Sequence, residues 1–246
     1  MAFSAEFGAE CVENTQVYPS THYLLFDTTR LSPPHPLRAL LPRPGSCVSV
    51  RHPSESCAER SRPYSIVWSG PSHFGLLVRR VPDGVVSNWL CALSPGQSVT
   101  ITEIFRHFEV PATSHFRESL FVSTGVGIAP FISALRLGVT PMQMLVGCRT
   151  LEAMPGLATL LSDVQRECCT FVVSQPELFI SKSVDFKVVL RRRVTDVLRT
   201  LPFPAEPSVY LCGLDAMVLD AYSLLTMRGV SAESIHSEVF HFGKEE

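Results

Sequence analysis

The feature that most narrows the fold of this chain is a change of hydrophobic rhythm partway along it. Up to about Val110, short β-rich runs at residues 47–50, 65–68, 75–81 and 98–102 are separated by Pro, Gly and Ser. This is the punctuation of an antiparallel barrel built from short strands. One stretch in this half has a helical period. Val86, Trp89, Leu90 and Leu93 fall at i, i+3, i+4 and i+7, and Ser94-Pro95-Gly96 ends the run. The proline-rich segment 31–45 and the polar segment 51–61 read as irregular loops. From Ser119 onward, apolar strands at 120–124, 142–146, 169–173 and 209–212 alternate with helical patterns. One helix begins near Pro130, and others fall at 157–167, 194–201 and 215–227. Such alternation implies a parallel, doubly wound sheet. The sequence therefore predicts an antiparallel β-barrel over 1–117 and an α/β domain over 118–246, with the boundary near residues 111–118.

Composition removes several classes of function. No apolar run approaches the roughly 20 residues needed to span a bilayer, so no membrane span is expected. The first 16 residues carry three glutamates and neither Lys nor Arg, which is not the pattern of a secretory signal or a transit peptide. A net charge of −2 gives no electrostatic reason to expect nucleic acid. Eight cysteines, at positions 11, 47, 57, 91, 148, 168, 169 and 212, include no C-x-x-C pair and no zinc or iron–sulfur spacing. They read as buried thiols in a reducing compartment, which points to the cytoplasm, and no metal site is expected.

Four stretches carry chemistry. Thr124-Gly125-Val126-Gly127-Ile128-Ala129-Pro130 joins a strand to a helix, where backbone amides and the helix dipole receive a pyrophosphate. Its glycines allow close approach, and proline suits a first helical turn. Asp83-Gly84-Val85-Val86-Ser87 opens the helix of the first half and offers a second phosphate site, or simply an ordinary helix start. Arg62-Pro63-Tyr64-Ser65 presents a cation, an aromatic plane and a hydroxyl on one strand, which suits a flat heterocycle bearing phosphate. By alternation Arg62 and Tyr64 share a face and Ser65 points the other way, unless the strand twists. Cys212-Gly213 ends a parallel strand at the edge where α/β sheets bind ligands, and Glu238 and Phe240 lie near the C-terminus.

In their order and spacing these stretches resemble the ferredoxin–NADP reductase superfamily over nearly the whole chain. Arg62, Tyr64 and Ser65 match its R-x-Y-S signature. Residues 77–90 are similar to its next strand and phosphate helix, and residues 120–135 to its nucleotide-binding strand, turn and helix. Gly147-Cys148-Arg149, Arg193-Val194-Thr195-Asp196, Cys212-Gly213 with Met217, and the terminal Glu238-x-Phe240 match further family stretches.

The resemblance implies a flavin-binding barrel followed by a pyridine-nucleotide domain. Arg62, with Pro63 beside it, would meet the flavin pyrophosphate, Tyr64 would pack on the isoalloxazine, and Ser65 would bond near its N5. Gly84, Val85, Val86 and Ser87 would supply phosphate contacts. Thr124, Gly125, Gly127 and Pro130 would line the nucleotide groove, and Ser174 would stand near the ribose. Cys212 and Gly213 would lie beside the nicotinamide, with Glu238 orienting it or relaying a proton. Ser65, Cys212 and Glu238 are thus the expected catalytic set. The cofactor is FAD or FMN and the co-substrate NADH or NADPH. Lys182 either reaches a 2′-phosphate or is simply solvated, and the run Arg191-Arg192-Arg193 either meets an acidic partner or, more plainly, is a charged helix start. The chain departs from the family pattern at Val126, at Leu214 and at residues 103–108, where a glycine-rich stretch is expected. Phe105 or Phe108 there could pack on adenine or in the core. Three activities follow: a reductase with bound FAD serving a separate heme or iron–sulfur protein or a small-molecule acceptor; an NAD(P)H:flavin reductase; or a redox-silent subunit of a larger assembly.

Overall fold

The computed structural model describes residues 6–29, 43–54, 61–106, 108–110, 118–161, 166–176 and 187–240. Two compact units emerge: residues 1–111 with 129–137, and residues 112–128 with 138–246.

In the first unit β1 (Phe7–Tyr18), β2 (Thr21–Asp27), β3 (Ser46–Arg51), β4 (Arg62–Ser69), β5 (His73–Arg79) and β6 (Ser98–Arg106) form a closed antiparallel barrel, ordered β1-β2-β5-β4-β3-β6. Alternation builds its interior. Phe7, Ala9 and Cys11 of β1, Leu24 and Phe26 of β2, and Phe74, Leu76 and Val78 of β5 all enter one buried cluster. Register brings Phe26 opposite Phe74, and their rings stack at 5.3 Å. Closure leaves no strand edge to pair with another chain. A register shift between Ile66 and Trp68 lets β4 bend. Helix α1 (Val85–Cys91) buries Val86, Leu90 and Cys91 in the same cluster. Leu93 joins them from just beyond the helix end, so one period residue is core without being helical. The strand anticipated at 75–81 runs two residues earlier, and Val81 instead turns, its carbonyl accepting from Gly84 N–H at 3.0 Å.

Helix α2 (Ala129–Arg136) belongs to this unit, where it packs on β4. Its Phe131 ring meets that of Phe108 at 5.8 Å, and both side chains are buried. Phe108 is therefore core, whereas Phe105 is half-buried.

The second unit is a six-stranded parallel sheet ordered β10-β9-β8-β7-β11-β12. Its strands are β7 (Ser119–Thr124), β8 (Gln143–Cys148), β9 (Cys169–Val173), β10 (Lys187–Leu190), β11 (Ser208–Leu214) and β12 (Ile235–Phe240). The order reverses direction between β7 and β11, the switch point at which such sheets open a crevice. Helices α4 (Val194–Leu198) and α5 (Asp215–Met227) bury Val194, Leu198, Met217, Ala221 and Leu225 against Leu120, Val122, Leu145 and Leu211. Each such side chain larger than Ala221 contributes about 1.5–3 kcal/mol. The helix expected over 157–167 is helical at its two ends, residues 157–158 and 166–167, and broken between them. A helix, α3, spans Ala153–Ala158, residues 159–160 turn, and 162–165 lie outside the described residues. The boundary segment 111–117, most of the two irregular loops, and Lys182 also lie outside them. Among the described residues no helix is long and apolar enough to cross a membrane.

Candidate functional site

In the barrel unit, Arg62 opens β4 exposed to solvent, and its guanidinium donates to the Ser61 carbonyl at 3.2 Å. Two residues on, Tyr64 packs half-buried with Trp89 against the barrel cluster. Burial, with Cys91 adding to it and Arg62 opposing, holds its phenol well above the ordinary tyrosine value. Tyr64 is thus an uncharged aromatic surface at any physiological pH. Ser65 pairs with Cys47 across β3–β4 and is buried, its Oγ 3.7 Å from the Cys47 Sγ. Tyr64 pairs instead with Val48 of the barrel cluster, so the two neighbours occupy opposite faces of the strand, and Pro63 between them is exposed.

The start of α1 is a closed turn. The Ser87 hydroxyl accepts from Val81 N–H at 3.2 Å and donates to the Gly84 carbonyl at 3.3 Å. A Cβ on Gly84 would lie 2.6 Å from that hydroxyl, so a larger residue there would turn the Ser87 side chain out of this position. Ser87 thus spends its side chain inside the turn. The groups left for a phosphate are the first-turn amides around Val85 and Val86, which no side chain caps.

The other end of α1 is tied down by a residue that sequence reasoning missed. Asn14 Nδ2 donates to the carbonyls of Cys91 (3.3 Å) and Leu93 (2.7 Å), and Asn14 Oδ1 lies 2.7 Å from His22 Nδ1. Nothing about a lone asparagine in a strand announces a contact 77 residues away.

In the sheet unit, the expected nucleotide residues fall at the carboxyl ends of β7, β9 and β11. Gly125 takes a φ of +54°, and Gly125–Ile128 forms a 3-10 turn that carries the chain into α2, with Pro130 buried in that helix. Gly127 passes so close to β11 that a Cβ would be 2.3 Å from the Cys212 carbonyl oxygen. Thr124 accepts from Leu214 N–H at 3.0 Å. Cys212 is fully buried, and its thiol donates to Glu238 Oε2 at 3.7 Å. Register aligns Ser123, Cys212 and Glu238 across β7, β11 and β12, and the buried Ser123 hydroxyl has no partner among the described residues.

Ser174 follows β9 and returns to β8, its amide donating to the Cys148 carbonyl at 3.0 Å. Beside it, Gln175 Oε1 accepts from Arg149 Nε at 2.9 Å, and the Gln175 amide donates to the Arg149 carbonyl at 2.8 Å. Arg149, valued in the sequence only as part of a family stretch, is thereby held next to Ser174. Arg191 to Arg193 are exposed just past β10, where the Arg193 amide donates to Asp196 at the start of α4.

These residues fit the groups the resemblance implies. The barrel strand offers an exposed cation, a neutral aromatic surface and a hydroxyl. The sheet offers a glycine turn and a thiol–carboxylate pair at its switch point, with an orphaned buried hydroxyl in register beside the thiol.

No family model matches the chain. It is 27% identical over 241 residues to the propane 2-monooxygenase reductase component of Rhodococcus jostii (strain RHA1), covering 92% of this chain and 62% of that protein. It is also 27% identical over 240 residues to the 3-ketosteroid-9-alpha-monooxygenase ferredoxin reductase component of Mycobacterium tuberculosis, covering 94% and 64%. The chain thus spans less than two thirds of the length of these curated relatives. Among solved structures, a ferredoxin NADP+ reductase from Neisseria gonorrhoeae with bound FAD and NADP superposes with a TM-score of 0.69 at 14% identity, over 95% of this chain and 98% of that one. A closed barrel and a parallel sheet with a glycine turn at its switch point are thus the fold this chain shares with that solved reductase, and its sequence is similar to reductase components of two monooxygenases.

Proposed function

We propose that the chain is an NAD(P)H-dependent flavoprotein reductase. It takes hydride from NADH or NADPH onto bound FAD, with FMN as the smaller alternative, and passes electrons to a separate acceptor, foremost a heme or iron–sulfur protein. The observation that carries this reading is the meeting of the Gly125–Ile128 turn, Cys212 and Glu238 at the sheet's switch point. The names of the relatives, both reductase components of monooxygenases, support a protein acceptor. Thiols at all seven described cysteines suit the cytoplasm, and the net charge of −2 supports no nucleic-acid role.

When bound, the flavin supplies the capacity to accept an electron pair and release it singly or together. The chain's own residues do the positioning. Arg62 is the cation for the flavin pyrophosphate and Tyr64 the uncharged surface for its ring, while Ser65, on the opposite face of β4, brings its hydroxyl to the ring only through a twist of the strand. Gly84, Val85, Val86 and Ser87 shape the phosphate turn, with backbone amides as donors. On the nucleotide side Thr124, Gly125, Gly127 and Pro130 form the pyrophosphate turn, and Ser174 faces the ribose. Cys212 and Gly213 border the nicotinamide, while Glu238 accepts the thiol proton and fixes the direction of Cys212 Sγ.

The test is the visible spectrum of the purified protein. Yellow protein bleached anaerobically by NADH or NADPH is the expected result. Colourless protein that neither binds flavin nor oxidises NAD(P)H would overturn the reading and leave the redox-silent subunit. One observation favours a second reading, in which flavin is a dissociating substrate. The Ser87 hydroxyl is consumed within its own turn, which leaves fewer groups to grip a phosphate. Colourless protein that reduces added flavin would select it.

A further inference from the structure

Thr124 ends β7, the strand that separates β8 from β11. Its side chain fills a slot that exists because both neighbouring strands present glycine there. A Cβ on Gly147 of β8 would lie 2.8 Å from Thr124 Cγ2, and a Cβ on Gly213 of β11 would lie 2.3 Å from Thr124 Oγ1. The methyl faces one strand and the hydroxyl the other. Gly213 also takes a φ of +144°, which residues with a Cβ rarely adopt. Immediately after it, Leu214 gives its N–H to Thr124 Oγ1 at 3.0 Å. Leu214 has φ −61° and ψ 136°, backbone that a proline ring would also accept. The Leu214 side chain is exposed. What Leu214 contributes at this point is therefore its amide proton.

We propose that Thr124 is a positioning residue for the nicotinamide side of the reaction. It keys the carboxyl ends of β8 and β11 to that of β7 and sets the Gly213–Leu214 peptide beside Cys212. This rests on the reductase reading above. Thr124 acts on the reaction through the backbone of Gly213 and Leu214, and its own contact with nucleotide is secondary. The turn that borders the nicotinamide is thus held by one hydroxyl–amide bond on one side and by two close glycine contacts around it.

The experiment uses the full chain as purified, with four variants: Thr124→Val, Thr124→Ser, Leu214→Pro and the double variant Thr124→Val/Leu214→Pro. Thr124→Val and Leu214→Pro each remove one half of the bond. Each is expected to slow NAD(P)H-driven bleaching of the flavin about tenfold, the scale of one lost hydrogen bond, with flavin content unchanged. Thr124→Ser keeps the hydroxyl and should recover the rate to within about twofold. The double variant should be no slower than either single one, because both remove the same interaction. In parallel, the Leu214 amide should exchange slowly with solvent in the parent and in Thr124→Ser, and fast in Thr124→Val. Wild-type rates in Thr124→Val, effects that multiply in the double variant, or a Leu214 amide still protected in Thr124→Val would overturn the proposal. If the parent oxidises neither NADH nor NADPH, the reductase reading fails instead. The keying of the turn is then decided by the Leu214 amide alone.

Discussion

Gly127 and Cys212 stand closer than any other residue type at position 127 would permit: a Cβ on Gly127 would lie 2.3 Å from the Cys212 carbonyl oxygen and 2.8 Å from Gly213 Cα. Both obstacles are backbone, which cannot swing aside. Gly127→Ala should therefore push the nucleotide turn off the end of β11, at a cost of about 2–3 kcal/mol in stability. Urea unfolding measures the loss, and NAD(P)H oxidation should fall further than stability alone explains.

Arg62 is the exposed cation of the barrel strand. Arg62→Ala should release flavin, lowering the flavin-to-protein ratio after gel filtration at least about tenfold, as loss of a charge-assisted contact implies. Arg62→Lys should restore only part of it, since an ammonium lacks the planar fork. Unchanged flavin retention in Arg62→Ala would show that the pyrophosphate lies elsewhere.

The Cys212 thiol donates a hydrogen bond to Glu238 at the strand end proposed to border the nicotinamide. Cys212→Ala should keep the flavin and slow its reduction by roughly tenfold, the scale of one misplaced contact. Rapid-mixing absorbance separates that step from flavin loss. A variant that is colourless as purified would assign Cys212 to flavin binding instead.

Arg149 is braced by Gln175 beside Ser174, so on the proposed reading, with Ser174 at the ribose, it is a cation within the reach of a 2′-phosphate. Arg149→Ala should raise the KM for NADPH at least about fivefold through loss of a charge-assisted contact, while leaving the KM for NADH within about twofold. Equal losses for the two nucleotides would remove Arg149 from that role.

Burial pushes the Cys148 thiol up to about 12 from an ordinary 9.0. The native state therefore keeps its proton where the unfolded chain has lost it. That contribution to stability is fully present below pH 9 and disappears as pH rises toward 12. Its slope reaches at most about 1.4 kcal/mol per pH unit. Replacing Cys148 with Ala should flatten the decline in unfolding free energy over that window, as read from urea titrations at successive pH values.

Much of the architecture was legible because it depends on local period. The helix at Asp215–Met227 lies where its apolar stripe places it, and the strands at 120–124 and 169–173 coincide with short buried runs. Leu93 shows where period misleads: it sits at the right spacing to be core but past the last helical residue. Over 157–167 the helical period is broken by a turn at 159–160, although residues 157–158 and 166–167 are helical and Leu157 and Leu161 are both buried. The gathering of Thr124, Gly127, Cys212 and Glu238 was anticipated only as an ordered set of motifs. That Thr124 needs glycine on both flanking strands is a fact of register, and register between distant strands leaves no mark in a single sequence. The same holds for Asn14 reaching α1, for Arg149 reaching Gln175, and for the Ser87 hydroxyl turning inward rather than toward a ligand.

Helix α2 follows directly from the nucleotide turn, yet it is counted with the barrel, where it packs on β4. Modularity here is therefore not linear. The barrel's compact unit is completed by a segment encoded after the sheet has begun, so no single cut of the polypeptide yields both units whole. A shuffling event, or an engineer, that exchanged only the first half of the chain would transplant a barrel without the helix that covers one of its strands. Each of the chain's two units is interrupted in sequence by a piece of the other.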